Sequence, residues 1–321
     1  MEKNTSSLSR NSSSSSSLAN GLTWSITFGI HASFVVLFNI LTILTFVRNK
    51  RKKRKKSVYC LMNLALSDLS VGILTIPLYV SYLAEAVIKG NSSDTMLALS
   101  VDVIYQFTAS AANFSLVLVS LERLYVTLYP LQHRKTRTRS YLISIALTWL
   151  IALGITLIYY VFKYELKAPK AIFYVLLPVL LVSLVLICLS YAVILVKIRR
   201  RNGSCLAMIA KGQRQERKLA HTLCIVTATS LATWLPFTIM QIMSIKGTSA
   251  MSSDTVFSVL LIQCSNSLVN PIIYALRIRE FRNTLLQLLR CKSSSEWQIA
   301  KNRAELTRLA KAAVPLSDIA E

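Results

Sequence analysis

Seven stretches of this chain stay apolar for longer than ~18 residues, the length an α-helix needs to cross a bilayer. Their approximate limits are 24–47, 58–88, 96–128, 140–162, 171–197, 217–245 and 255–276. Backbone amides and carbonyls in hydrocarbon find no water, so each stretch must satisfy them internally, as a helix does. The expectation is an all-α chain, a seven-transmembrane helix bundle. Composition agrees: 53% of the 321 residues are hydrophobic and 16% charged, less charge than a soluble domain usually carries.

The net charge of +23 would suit nucleic acid, but its distribution points elsewhere. Of the 37 Lys and Arg, only Lys3, Arg10, Lys89, Lys163, Lys167, Lys170 and Lys246 fall on one side of a seven-span arrangement. RNKRKKRKK (48–56), HRKTRTR (133–139), KIRRR (197–201) and KGQRQERK (211–218) fall on the other. Loops rich in Lys and Arg stay in the cytoplasm. The expected protein is therefore multi-pass, with its N-terminus outside and its C-terminus inside. The basic runs read as topology signals that also touch anionic lipid and an acidic partner; nucleic acid is not expected.

The expected organisation is a Ser-rich, disordered extracellular N-terminus (1–23), a membrane domain (24–276), a short amphipathic membrane-surface helix (277–291) and a cytoplasmic tail (292–321). No apolar region with a cleavage site precedes the first stretch, so no removable signal peptide is expected. Asn4, Asn11 and Asn91 begin N-x-S/T sequons on the outer side and are glycosylation candidates. The six cysteines lie away from the outer loops, so no external disulfide framework is read. Cys291 follows the amphipathic stretch and is a candidate for palmitoylation, with a simple tail thiol as the alternative.

Each stretch carries polar or helix-bending residues that an inert anchor would not need. They include Asn39, Asp68, Pro77, Trp149 and the adjacent pair Glu122–Arg123, then TWLPF (233–237) and NSLVNPIIY (266–274). Charges in hydrocarbon are costly, so such residues usually have a function. In order and spacing they resemble the rhodopsin-like class of G-protein-coupled receptors, over residues 24 to 290. ERLY stands at the family's Asp/Glu-Arg-Tyr triplet, and NPIIY is its Asn-Pro-x-x-Tyr motif, followed by Phe281 of the surface helix.

The resemblance implies a receptor at the plasma membrane that passes an extracellular small-molecule or peptide signal to a heterotrimeric G protein. In that picture Arg123 is held by acids, Glu122 beside it and Glu216 opening the sixth helix. Pro236 lets the sixth helix swing outward, freeing Arg123 for the Gα subunit while Tyr191 and Tyr274 turn inward. Asn270, Pro271 and Tyr274 belong to the seventh-helix switch. Asp68 is placed to bind Na⁺ with Asn266, Ser267 and Asn270. Ala112 stands where a Ser usually contributes, which leaves a protonated or water-bridged Asp68 as the alternative.

Departures narrow the ligand. Ala98 replaces the family's usual third-helix cysteine, and the loop 161–170 has none. Ser183 replaces the usual fifth-helix proline. These losses resemble the branch holding melanocortin, lysophospholipid, cannabinoid and adenosine receptors. RIREFR (277–282) looks most like adenosine receptors, and Asp102 more like melanocortin receptors. Tyr105 at the amine-binding position disfavours a monoamine, and the absence of a seventh-helix Lys argues against retinal. No cofactor is implied. The expected pocket lies between the third, sixth and seventh helices near the outer face. It comprises Asp102, Tyr105, Gln106, Trp234, Phe237, Gln241 and Gln263, aromatic walls with few polar groups. Asp102, its one acid, suggests a basic group on the ligand; plain packing is the alternative for Trp234 and Phe237. Asn113 and Ser230 stand where bulky apolar residues are common, bonding either across helices or to their own backbones.

A polytopic transporter or channel is the rival reading. It would spread polar residues along several helices, often with an internal repeat, and no repeat is found. An enzyme would need a nucleophile–base or metal cluster, and His31, His133 and His221 are scattered.

Overall fold

The computed structural model describes the backbone of residues 2–48, 56–89, 95–200, 210–245, 251–277 and 279–289. Within these ranges, side chains are described except at 2–18, 86–89, 169–173, 198–200, 210–224, 227, 244–245, 279–280 and 289. Helix α1 is Glu2–Arg48. Helix α2 runs as Ser57–Ser70, a π turn at Val71–Thr75, and Ile76–Lys89. Helix α3 is Thr95–Leu128, followed by a short helix, Pro130–Lys135. Helix α4 is Thr138–Tyr160, prolonged by a second π turn at Val161–Glu165. Then come α5 (Pro169–Arg200) and α6 (Ala210–Ile245). The last span, α7, is Ser253–Cys264 and Asn266–Arg277, and the surface helix α8 is Arg279–Leu289. Residues expected as a disordered N-terminus up to 23 run into α1, a helix whose apolar span begins at Ala19. Extending a formed helix is easier than nucleating one.

Among the described residues, six spans are long and apolar enough to cross a membrane; α6 joins them in the bundle, packed on α5 and on both parts of α7. Helix α3 is the axis, touching α2, α4, α5 and α6. The bundle is polar inside and apolar outside. Asn39, Ser67, Asp68, Ser115 and Asn270 are all at most 1% exposed, whereas Leu150 and Leu157 of α4 and Val182 and Leu189 of α5 exceed 50%. A soluble protein would bury those leucines and valines; here they face the volume that lipid occupies.

Local chemistry explains how the spans meet. Gly72 sits in the first π turn, where a Cβ would stand 2.9 Å from Val36 and 3.0 Å from Val35. Only glycine lets α2 approach α1 so closely there. Pro271 has no N–H, so the carbonyl four residues earlier, on Ser267, loses its helical donor. Asn39 Nδ2 fills that place from α1 at 3.0 Å, turning a helix defect into an α1–α7 bond. At the end of the bundle expected to face outward, termed the outer end, Asp254 Oδ1 accepts from Asn20 Nδ2 (2.7 Å) and Trp24 Nε1 (2.9 Å), joining the same two helices again. At the opposite end, termed the inner end, Phe281 of α8, 1% exposed, packs edge-on against Phe46 and Tyr274 with ring centres 5.4 and 6.1 Å away. That ring fixes the surface helix to α1 and α7.

Candidate functional site

Helix α3 brings one acid to each end of the bundle. Asp102 and Glu122 are about 30 Å apart at 1.5 Å per residue, close to the thickness of the hydrocarbon core.

At the inner end, Glu122 and Arg123 are both buried, at 7% and 8% exposure. Arg123 Nε lies 3.0 Å from Glu122 Oε2, but neither atom makes an aligned hydrogen bond, so the pair is held by charge and proximity. Ser57 Oγ of α2 donates to Glu122 Oε1, and His133 Nε2 of the short helix stands 3.6 Å from the same oxygen. The sequence placed Glu122 beside Arg123; it did not indicate Ser57 or His133, which come from separate elements. The backbone at Glu216 is in α6, but its side chain lies outside the described residues, as do the side chains of Asn4 and Asn11 and the whole of Asn91 and Cys291. Tyr191 is buried on α5, and Tyr274, 1% exposed, rests against Phe46, with its hydroxyl unpartnered.

The middle is a polar tie-rod. Trp149 Nε1 of α4 donates to Asn63 Oδ1 of α2 at 2.9 Å, and Asn63 Nδ2 donates to Ser115 Oγ of α3 at 2.8 Å. Thr75 and Thr108 hydroxyls meet at 2.6 Å beside the first π turn. Asn270 Nδ2 donates to Asp68 Oδ2 at 2.8 Å. The other carboxylate oxygen, Asp68 Oδ1, and the amide oxygen, Asn270 Oδ1, are both buried without a hydrogen-bond partner. Ser267 is buried next to the α1–α7 bond, and Asn266 Oδ1 accepts from Thr233 Oγ1 at 3.5 Å. Among the described residues no cluster of three or more His, Cys, Asp or Glu could hold a metal ion.

The two unusual polar residues below the outer half have different partners. Asn113 Nδ2 reaches across to Ser183 Oγ of α5 at 3.0 Å, whereas Ser230 Oγ bonds its own helix at Val226 O, 2.9 Å. Both line a small recess with Leu116, Leu184, Ile187, Leu231 and Trp234.

At the outer end the expected pocket divides. Tyr105 OH donates to Gln263 Oε1 at 2.6 Å, and its ring lies 6.2 Å from Phe237, which is 6.3 Å from Trp234. These four residues form one wall across α3, α6 and α7. Gln241 is half-buried on α6. Gln106 Nε2 donates to Ser110 on its own helix at 3.0 Å. Asp102 turns away: its Oδ2 accepts from Lys163 Nζ and, at 2.7 Å, from Tyr164 OH, both on the second π turn. Lys163 Nζ also donates to Tyr159 OH at 2.9 Å. The acid expected to meet a basic ligand is thus already paired by α4. The extra residues of the π turn rotate Lys163 and Tyr164 onto α3, a register that the sequence VFKYE does not announce. The turn closes tightly: Leu166 N donates to Val161 O and Ala168 N to Phe162 O, both at 2.9 Å, with Lys167 at φ 48.

An all-α bundle of membrane-crossing helices around a polar interior, with a buried Arg at one mouth, defines a class of multi-pass membrane protein. Residues 38–274 match the family described as 7 transmembrane receptor (rhodopsin family). The chain belongs to that family, whose members are receptors and not enzymes. It is 25% identical over 278 residues to Galanin receptor 2a of Danio rerio, covering 79% of this chain and 74% of that one. It is 24% identical over 255 residues to Adenosine receptor A3 of Bos taurus, covering 72% and 78%. Sphingosine 1-phosphate receptor 1 of Danio rerio is 27% identical over 293 residues, covering 83% and 78%. Membership disfavours the transporter or channel reading.

Proposed function

We propose that this receptor carries an extracellular signal to a heterotrimeric G protein through outward movement of α6. The observation that carries the reading is the buried Arg123–Glu122 pair at the inner end of α3. Arg123 Nε and Glu122 Oε2, held 3.0 Å apart by charge without an aligned hydrogen bond, are bound firmly enough to be ordered and loosely enough to be given up. Pro236 removes the N–H that would bond Ala232 O and leaves α6 a bending point directly beyond Trp234. The ligand sits against Tyr105, Trp234, Phe237 and Gln263, with Gln241 and Gln106 nearby, and acts by preferring the conformer in which α6 has swung. Glu216 adds a second acid to the hold on Arg123. Tyr191 and Tyr274 then turn toward the released Arg123, the latter leaving its berth on Phe46.

The N-terminus faces outward at the plasma membrane, with Asn4, Asn11 and Asn91 glycosylated, Cys291 palmitoylated, and the basic inner loops resting on anionic lipid. Asp68, Asn266, Ser267 and Asn270 would hold a Na⁺. Two buried, unpartnered carboxylate and amide oxygens suit a hard cation, which takes oxygen ligands. The charge of Asp68 would neutralise it. Nucleotide exchange by a purified heterotrimer, driven by the receptor in lipid vesicles, tests the reading. Glu216→Ala should raise the ligand-independent rate; an unchanged rate removes Glu216 from the lock.

A further inference from the structure

The carboxylate that holds Arg123 has a second suitor. Arg123 Nε stands 3.0 Å from Glu122 Oε2, while His133 Nε2 stands 3.6 Å from Oε1. The two oxygens of one buried carboxylate therefore face two different groups able to carry positive charge. The imidazole is positioned by its neighbours, with Tyr125 of α3 and Tyr141 of α4 each meeting it near edge-on at 6.3 Å between ring centres. The His133 side chain is 20% exposed against 4% for Glu122, so protons from the cytoplasmic face can reach the imidazole. Histidine is the side chain that changes charge between pH ~5 and ~8.

We propose that His133 is a proton-binding site that controls the grip of Glu122 on Arg123. With a neutral imidazole the carboxylate keeps the Ser57 hydroxyl on Oε1, and Arg123 is the cation paired with it. An imidazolium draws the carboxylate toward itself and repels the adjacent guanidinium, and both effects loosen Arg123. Linkage is reciprocal: if protonation favours release of Arg123, release favours protonation. Protons on the cytoplasmic side thus push the receptor toward its coupling-competent form. This rests on the reading of Arg123 as the coupling group.

Other charges near His133 weigh on the same equilibrium. Lys56, at the N-cap of α2, caps the short helix, its Nζ donating to Thr136 O and, at 3.4 Å, to Arg134 O. Arg134 and Lys135 lie on the helix of His133, Arg137 and Arg139 at the start of α4, and Arg123 on α3. All these cations oppose a further positive charge, and Tyr125 and Tyr141 meet the imidazole with their rings. Glu122, 3.6 Å away, supplies the opposing attraction.

The test uses the full-length receptor in lipid vesicles with a purified heterotrimer, reading basal nucleotide exchange between pH ~7.5 and ~6. His133→Phe keeps a ring between the two tyrosines and reports the pH response of the G protein itself. Relative to that variant, the wild-type rate should rise about fivefold on acidification, the size of a modest coupling free energy. Parallel pH profiles for wild type and His133→Phe would overturn the proposal. A second readout needs no G protein: the imidazole resonance of His133 should titrate at lower pH in Glu122→Gln than in wild type. Identical titrations would also overturn it. An exchange rate that neither pH nor Arg123→Ala alters would sink the coupling reading, and the imidazole titration would then decide the His133–Glu122 pairing alone.

Discussion

Helix α3 carries an ion pair at each end, and the two are built differently. Asp102 and Lys163 at the outer end each leave 33% of their side chains exposed, and Tyr164 donates to the same oxygen. Glu122 and Arg123 at the inner end leave 4% and 10%. Solvent screens the first pair, so forming or breaking it moves stability by only ~0–1 kcal/mol. The second pair is largely desolvated, and removing one partner strands a buried charge, which costs ~3–5 kcal/mol. A partly exposed pair ties helices together at little consequence; under the proposed function the buried one separates two states that a ligand or a partner can choose between.

The largest expected effect breaks the inner pair from the cation side. Arg123→Ala should lower receptor-driven nucleotide exchange at least tenfold, about 1.4 kcal/mol on the coupling equilibrium. Ligand binding at the outer mouth should persist, and a radioligand or fluorescent-ligand assay would check that once a ligand is found. Breaking it from the acid side, Glu122→Gln keeps the shape and removes the charge. It should raise ligand-independent exchange several-fold, and a fall to the Arg123→Ala level would contradict the idea that Glu122 restrains.

The middle of the bundle comes next. Asn63→Ala removes both ends of the tie between Trp149 and Ser115 and should lower unfolding stability by ~1–3 kcal/mol, read as a thermal midpoint in lipid discs. Smallest is the outer pair. Lys163→Met should shift that midpoint little, and the shift should shrink further in high salt. A loss as large as that of Asn63→Ala would show the outer pair to be more than a surface tie.

The spans themselves were legible because hydrocarbon tolerates so few alternatives: a run such as 140–162 has no other way to satisfy its backbone. The inner-end motif was legible too, since ERLY and NPIIY are local strings. What escaped was everything set by register across helices. Nothing in VGILT or VFKYE signals a π turn, yet the second one delivers Lys163 to Asp102 and gives that acid a partner within the chain. Ser57 and His133 reach Glu122 from separate elements, so no spacing rule could have paired them. The alternatives for Asn113 and Ser230 resolve oppositely, because Ser183 offers a hydroxyl across from the first while the second bonds within its own turn. One long-range bond was readable in principle: Pro271 must free the carbonyl of Ser267, and a buried donor such as Asn39 is what a freed carbonyl requires.

The central claim is that Arg123 is restrained by Glu122 until the inner end of α6 moves away. Pulsed spin-label distances between the inner ends of α4 and α6, in lipid discs with and without a peptide of the Gα C-terminus, address it most directly. The account predicts that the peptide lengthens the distance in wild type, that Glu122→Gln lengthens it without peptide, and that Arg123→Ala fails to respond. One distance distribution shared by all three proteins, with or without peptide, would contradict it.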